Sequence, residues 1–247
     1  LVGCSGGSIM AALRGTGHTP DQMASSVSRF WNRRLFSRLD LRTVLSMARI
    51  PFFKFQKGGA FFNPAIVKQV LRNYFKETRL EDLRPTTVLQ ATDADTGEGV
   101  VLSSGLLADA AYVSGAQFPF LPPAQVDGRW LVDGGFSSPL PIMEAVRRQC
   151  DVIIALAFEQ QRLEFDNFVE YCLHFFSRTG TTSERSQTTV ALDMHHHEII
   201  IVNVHFEKTI AIWDTHEIPT ILEAGRRCVQ EKRADILSAY RQFHPPR

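Results

Sequence analysis

A serine near the start of the chain has the sequence context of a nucleophile. Ser5 lies in the run Gly3-Cys4-Ser5-Gly6-Gly7, which has the form G-x-S-x-G and follows an apolar stretch. Small residues beside a serine suit a sharp strand-to-helix turn, in which the hydroxyl points outward and the helix N-terminus favours a developing oxyanion. The pattern predicts a nucleophile elbow built on Gly3, Gly6 and Gly7. A plain glycine-rich turn, of the kind that also binds phosphate, is the alternative.

An acid in a second motif is the candidate base. Asp133 ends the apolar stretch 130–132 and precedes Gly134 and Gly135. An acid at the carboxyl end of a strand lies where open α/β sheets place their active sites. A serine hydroxyl is a weak nucleophile unless a base is within hydrogen-bonding reach, so Ser5 and Asp133 must meet across 128 positions of the chain if they act together. An Asp-Gly turn without a catalytic role is the alternative.

The composition is that of a globular chain. Its 247 residues are 44% hydrophobic and 21% charged, which is sufficient for a substantial buried core. The formal net charge of +1 gives no general attraction to nucleic acid, and no apolar stretch is long enough to cross a bilayer. Four scattered cysteines without a C-x-x-C pair favour a reducing compartment. We expect one domain over residues 1–247 and no nucleic-acid partner.

Apolar periodicity, caps and turn residues predict strands that alternate with helices. After the helix that follows Ser5, we expect helices over 20–34, 39–50, 63–75, 106–113, 141–148, 165–176 and 218–243. We expect strands over 86–92, 99–102, 129–132, 151–157 and 198–204, with the first two forming a hairpin. The strand at 151–157 is continuously apolar, which is typical of burial on both faces.

Four motifs follow one another in a set order along the first part of the chain. G-x-S-x-G comes first, then a strand pair that contains A-T-D at 91–93, then S-G-A at 114–116, and finally D-G-G at 133–135. Over residues 1 to about 157 the chain resembles the patatin-like phospholipase family. The resemblance implies an α/β fold, a three-layer α/β/α sandwich with a mainly parallel central sheet and a helical, cap-like excursion.

The resemblance also implies a serine-dependent lipid acyl hydrolase with a two-residue Ser/Asp site. Ser5 would be the nucleophile and Asp133, in the loop with Gly134 and Gly135, would take its proton. Attack on an ester carbonyl would give an acyl-enzyme, which water activated by Asp133 would hydrolyse. The expected substrate is a lipid or another acyl ester, and this chemistry needs no metal and no cofactor.

Two departures from the family pattern concern the site. Family members carry a loop of the form G-G-G-x-[RK]-G before the nucleophile strand, and its N–H groups supply the oxyanion hole. Here the chain opens in mid-strand at Leu1, so we expect an N-terminally incomplete domain in which Gly6 N–H is the one nameable donor. Loss of an oxyanion donor lowers the rate by about 10²–10³. The segment from Ser114 to Pro119 is also one residue longer than the family's usual spacing.

Histidines after Asp133 leave two other functions open. An α/β-hydrolase-type esterase or thioesterase has the order serine, acid, histidine, and His205, His216 or the cluster at 195–197 would fit that order. A metal site at 195–197 is disfavoured, because consecutive strand residues point to opposite faces. A catalytically impaired protein that binds acyl chains or a membrane surface is the alternative outside the enzymes.

Aromatic and basic side chains interleave in two places. The first is residues 30–36. The second consists of Met47, Ile50, Phe52, Phe53, Lys54 and Phe55. The pattern indicates a peripheral membrane contact or a cap over an acyl-binding cleft, whereas a buried core is the alternative for each phenylalanine. We expect a cytoplasmic location or a peripheral one at a membrane surface, and no N-terminal targeting signal is visible.

Overall fold

The computed structural model describes residues 1–47, 50, 52–160, 168–195, 198–206, 210 and 214–243. They divide into two units, Leu1–Pro139 and Leu140–Arg247, each with its own sheet. The α/β class predicted from the sequence is confirmed. One domain over residues 1–247 stays a prediction.

The first unit alternates strands with helices. Its strands are β1 (Val2–Cys4), β2 (Val88–Asp93), β3 (Gly99–Leu102), β4 (Ala124–Val126) and β5 (Arg129–Asp133). Its helices are α1 (Gly6–Gly15), α2 (Pro20–Phe30), α3 (Leu41–Met47), α4 (Ala65–Phe75) and α5 (Leu107–Ser114). Short 3₁₀ turns span Arg33–Phe36, Leu80–Asp82 and Gly134–Phe136. The predicted hairpin is confirmed as β2 and β3, which pair antiparallel.

Strand β2 is the centre of the five-stranded sheet. It pairs with β3 over residues 89–92 on one edge. Because a strand has only two edges, β1 and β5 share the other. Strand β1 runs parallel to β2 and ends with Cys4 opposite Gln90, whereas β5 runs antiparallel and ends with Asp133 opposite Ala91. The carboxyl ends of β1 and β5 therefore meet head-on, and the sheet is more antiparallel than the resemblance implies.

The core of the first unit lies between this sheet and helices α1 and α5. Helix α5 packs against α1, β2 and β5. Each of these elements contributes fully buried side chains, which are at most 1% exposed. They are Leu13 of α1, Leu89 of β2, Leu107 and Val113 of α5, and Leu131 of β5. Complete burial of such side chains stabilises each by about 1.5–3 kcal/mol. Strand β5, which carries Asp133, is thus held in a closely packed core, and β1, which precedes Ser5, pairs with the buried strand β2.

The second unit is built on a parallel strand pair. Its strands are β6 (Val152–Gln160) and β7 (Glu198–Phe206), and its helices are α6 (Ile142–Arg147), α7 (Phe168–Met194), α8 (Ile218–Glu231) and α9 (Arg233–Phe243). One buried cluster joins Ile142, Ala155 and Ala191. A second joins Ile200 and Val202 of β7 to Ala239 of α9.

Three predicted elements of this unit differ from the structure. The helix predicted to end at 176 continues to Met194, and its hydroxyls at 182, 186 and 189 donate to the carbonyls four residues earlier, which accommodates a Ser/Thr-rich sequence in a helix. The helix predicted over 218–243 is two helices, α8 and α9. Burial of 151–157 on both faces is wrong, because Ile154 and Leu156 are about half exposed at 48% and 45%.

Of the elbow glycines Gly3 and Gly7, only Gly3 is needed for close packing of α1 on β1. A Cβ at Gly3 would lie 2.7 Å from Ser8 Cα, whereas a Cβ at Gly7 would meet nothing within 4 Å. We expect Gly3→Ala to lower the free energy of unfolding by about 1–3 kcal/mol. Gly7→Ala leaves it unchanged or raises it by up to about 1 kcal/mol, because alanine favours helix. Urea denaturation followed by circular dichroism measures both, and equal losses would contradict the assignment.

Candidate active site

The structure brings the two predicted chemical residues into contact. The Ser5 hydroxyl donates a hydrogen bond of 2.7 Å to Oδ2 of Asp133. The contact follows from the sheet, because Ser5 comes directly after β1 and Asp133 ends β5 at the next position along β2. The residue types and their separation are those of a nucleophile and its base.

Ser5 has the backbone of a nucleophile elbow. Its φ of 51° is positive, which is uncommon for a residue with a Cβ, and such conformations cost about 1–3 kcal/mol. Helix α1 begins at the next residue, so the first N–H groups of the helix, from Gly6 and Gly7, have no intrahelical partner. These N–H groups lie at the positive end of the helix dipole, beside the serine.

Two serines that the sequence analysis gave no role hold this strained turn. The N–H of Ser5 donates to the carbonyl of Ser114 at 3.1 Å and to its hydroxyl at 3.3 Å. The carbonyl of Ser5 accepts from the N–H of Ser8 at 2.9 Å and from its hydroxyl at 2.6 Å. Both Ser114 and Ser8 are fully buried. The Ser8 contact is a local back-bond of a kind that serine commonly forms, but the Ser114 contact spans 109 positions and has no local signal.

The Asp133 carboxyl is buried, with both oxygens hydrogen-bonded. It is 4% exposed; Oδ1 accepts from the N–H of Gly135 at 2.7 Å, and Oδ2 accepts from Ser5. Burial raises the pKa of Asp133 from 3.8 to about 6, and the two hydrogen bonds, from Gly135 and then Ser5, oppose that rise. Thr92 fixes the backbone, since its hydroxyl donates to the Asp133 carbonyl at 2.8 Å.

The predicted glycines fall into two groups. A Cβ at Gly134 would lie 2.4 Å from the Gln90 carbonyl oxygen, so glycine is needed where the acid loop crosses β2. Gly3 is needed in the same way beneath α1. Gly6 and Gly7 are exposed, and a Cβ on either would meet nothing within 4 Å. Close packing of the backbone therefore does not require glycine at position 6 or 7.

The neighbouring thiol is not a rival nucleophile. Burial, and then the negative charge of Asp133, raise the pKa of Cys4 well above its ordinary value. A thiol is nucleophilic as the thiolate, so Cys4 stays protonated and inert near neutral pH.

The histidine of the first unit has structural contacts. His18 lies at the end of α1, where Nδ1 is 3.2 Å from the Leu13 carbonyl and 3.0 Å from the Thr16 hydroxyl, and Nε2 is 2.9 Å from the Tyr74 hydroxyl. His205 lies on β7 of the second unit and His216 on a 3₁₀ turn there. Of the cluster at 195–197, the last two lie outside the described residues. Within the described ranges, no three His, Cys, Asp or Glu side chains are grouped to hold a metal.

The pH dependence of the free energy of unfolding should reveal the burial of the Asp133 carboxyl. Between its unfolded pKa near 3.8 and its folded pKa of about 6, Asp133 keeps in the folded state a proton that the unfolded chain has lost. This stabilisation is complete below the lower value and is lost as the pH rises through about 6. The Asp133→Asn variant has no carboxyl to ionise, so its stability does not fall as the pH rises. Above about pH 7 its free energy of unfolding should exceed the wild-type value by on the order of 3 kcal/mol.

Urea denaturation across this pH range measures the effect. Asp127→Asn is the matched control, because Asp127 is exposed and in the turn before β5. The same pH dependence in wild type and Asp133→Asn would contradict the buried carboxyl.

A comparison with known families gives the site its context. The family model of patatin-like phospholipases matches residues 1–146, which include the elbow, β2, the Ser114 segment and the D-G-G loop. The match confirms the resemblance seen in the sequence and covers more than half of the chain. Membership implies lipid acyl hydrolase activity. This chain belongs to the patatin-like phospholipase family.

Proposed function

We propose that the protein hydrolyses acyl esters of lipids through a Ser5/Asp133 dyad. The observation that carries the proposal is the direct 2.7 Å hydrogen bond from the Ser5 hydroxyl to the Asp133 carboxyl. In a Ser-His-Asp triad an imidazole stands between the acid and the serine, so a direct contact favours the dyad over the triad. A base with a pKa of about 6 is mostly ionised at neutral pH and still basic enough to take a proton.

The reaction has two steps on this geometry. In the first, the Ser5 oxygen bonds to the ester carbonyl carbon, its proton passes to Oδ2 of Asp133, and that proton leaves with the alcohol as the ester bond breaks. In the second, water gives a proton to Asp133 and bonds to the acyl carbon, and the bond to Ser5 breaks as the proton returns to the serine oxygen. The products are a carboxylic acid and an alcohol.

The oxyanion of the tetrahedral intermediate needs hydrogen-bond donors, and the backbone N–H groups near Ser5 are the candidates. The Ser5 N–H is bonded to Ser114, so it is not available to the oxyanion. The N–H groups of Gly6 and Gly7 are in the first turn of helix α1 and have no intrahelical partner. We assign the oxyanion contacts of this chain to these two groups, each worth about 10²–10³ in rate where such a donor is used.

Substitution of three residues separates the dyad from the alternatives. Ser5→Ala and Asp133→Asn should each lower ester hydrolysis by about 10³-fold or more, because one removes the nucleophile and the other its base. His205→Ala is the control and keeps most of the activity. A fluorophosphonate probe should label wild type but not Ser5→Ala. A loss in His205→Ala as large as in Ser5→Ala would favour the triad, and absence of labelling would favour a binding protein without catalysis.

The pH–rate profile tests which group is the base. Because Asp133 must be ionised to accept the proton, kcat/KM should rise with pH, with a midpoint of about 6, and level off above it. The measurement uses a soluble short-chain ester, so that lipid packing does not change with pH. The midpoint should be the same in His205→Ala. A midpoint that disappears in that variant would transfer the role of base to the imidazole.

A further inference from the structure

Exposed apolar side chains of the first unit are concentrated in one segment. Ten large apolar residues of this unit are exposed among those the structure describes, and seven of them lie between positions 39 and 55. These seven are Leu39, Leu41, Met47, Ile50, Phe52, Phe53 and Phe55. Phe52 is 98% exposed and Leu41 is 65% exposed. A concentration of this kind marks an interaction surface, whereas scattered exposed residues do not.

The neighbouring aromatics already fill the core, so the exposed ones are not needed there. Leu35 and Phe36 are buried, and the Phe36 ring makes edge contacts with Trp31 at 5.9 Å and Phe62 at 5.8 Å between centroids. The interleaved aromatics at 30–36 therefore include core residues. Those at 52–55 remain open to solvent.

Basic side chains accompany the apolar ones. Arg42, Lys54 and Lys57 line a cleft of about 460 Å³ together with Trp130. Lys57 binds Asp95 and lies 5.8 Å from the centre of the Trp130 ring. Two of the cleft's basic residues have no such partner: within the described chain, Arg42 and Lys54 make no ion pair.

The acidic side chain that lines this cleft, Asp40, is hydrogen-bonded to Thr43. The Asp40 carboxylate accepts from the N–H of Thr43 at 3.3 Å and from its hydroxyl at 2.7 Å. Arg38, two positions earlier, is exposed and, like Arg42 and Lys54, forms no ion pair with a described residue. The segment therefore carries a local excess of positive charge.

We propose that this segment is a docking face for an anionic phospholipid bilayer. The docking face consists of the seven exposed apolar residues and of Arg38, Arg42 and Lys54. Its chemistry is complementary to a negatively charged interface, into which aromatic and aliphatic side chains insert while cations bind headgroups. The choice of a lipid partner rests on the proposed lipid hydrolase function. None of the helices over the described residues has the length and hydropathy of a bilayer-spanning segment.

Charge favours a bilayer over a second copy of the chain. In a symmetric dimer the same surface faces itself, so the three unpaired cations would face three like charges. An anionic bilayer neutralises them instead, at a gain of about 1 kcal/mol for each basic residue near the surface.

The docking face is joined to the acid of the dyad by backbone hydrogen bonds. Asp40 N–H donates to the Phe61 carbonyl, and Phe61 N–H donates to the Pro119 carbonyl, both at 2.9 Å. Three residues before Pro119, the Ala116 carbonyl accepts from the Asp133 N–H at 3.1 Å. The segment that contains the docking face and the segment that positions Asp133 are therefore connected through backbone hydrogen bonds.

Vesicle co-sedimentation of the full chain tests the proposal. Vesicles of phosphatidylcholine alone are compared with vesicles that also contain phosphatidylserine, at low and at high salt. Phe52→Ser and Phe55→Ser should each weaken binding about tenfold, since each removes a large apolar side chain from the interface. Arg42→Gln and Lys54→Gln should each weaken binding to the anionic vesicles about fivefold at low salt, with little effect at high salt. Phe175→Ser and Arg226→Gln are the controls, because both side chains are exposed on the second unit.

The outcomes separate the docking face from the proposed function. Stronger binding to anionic vesicles, lost in the face variants while hydrolysis of a soluble ester is kept, supports the proposal. Equal binding to both vesicle types, or equal effects of face and control variants, overturns it. A change of molar mass by light scattering in Phe52→Ser would make the face a dimer contact and overturn it also. Full hydrolysis by Ser5→Ala would instead refute the dyad and leave the vesicle result to stand by itself.

Discussion

The candidate site depends on the sharing of one edge of β2 by two strands of opposite direction. Strand β1 runs along the edge from one side and β5 from the other, and they end at adjacent positions, Gln90 and Ala91. Backbone pairing fixes both ends to within the spacing of one residue. This is why residues at 5 and 133 can be placed at hydrogen-bonding distance without a long side chain or a flexible loop.

Two unfavourable features persist at this junction, and the surrounding core stabilises both. Ser5 has a positive φ, and Asp133 is a carboxyl removed from water. Each residue is held by hydrogen bonds with its neighbours: Ser5 with Ser114 and Ser8, and Asp133 with Thr92 and Gly135. The turn strains the backbone of Ser5, and burial makes the Asp133 carboxylate more basic.

The residues of the candidate site and most elements of the first unit could be predicted from sequence, because their signals are local. The glycine pattern around Ser5, the D-G-G motif and the hairpin turn each occupy a few consecutive positions. The Ser114 clamp could not be predicted, since it joins residues 109 positions apart through backbone geometry. Helix α7 was underestimated because serine and threonine have weak helix propensities, which tertiary packing overrides; its Ala191 is part of a buried cluster. The half-exposed face of β6 was not predicted, because a continuous apolar sequence does not indicate whether other elements cover both faces of the strand.

The glycines of the site differ in what the fold requires of them. Gly3 and Gly134 stand where backbone crosses backbone, so any descendant that keeps the fold must keep them, whatever it does. Gly6 and Gly7 face open space, and folding would accept alanine at either position. Glycine at these two positions leaves open the space beside the serine. In a lineage that abandoned hydrolysis, the second pair would be free to drift while the first stayed fixed, which makes the two pairs a record of whether the ancestral chemistry is still in use.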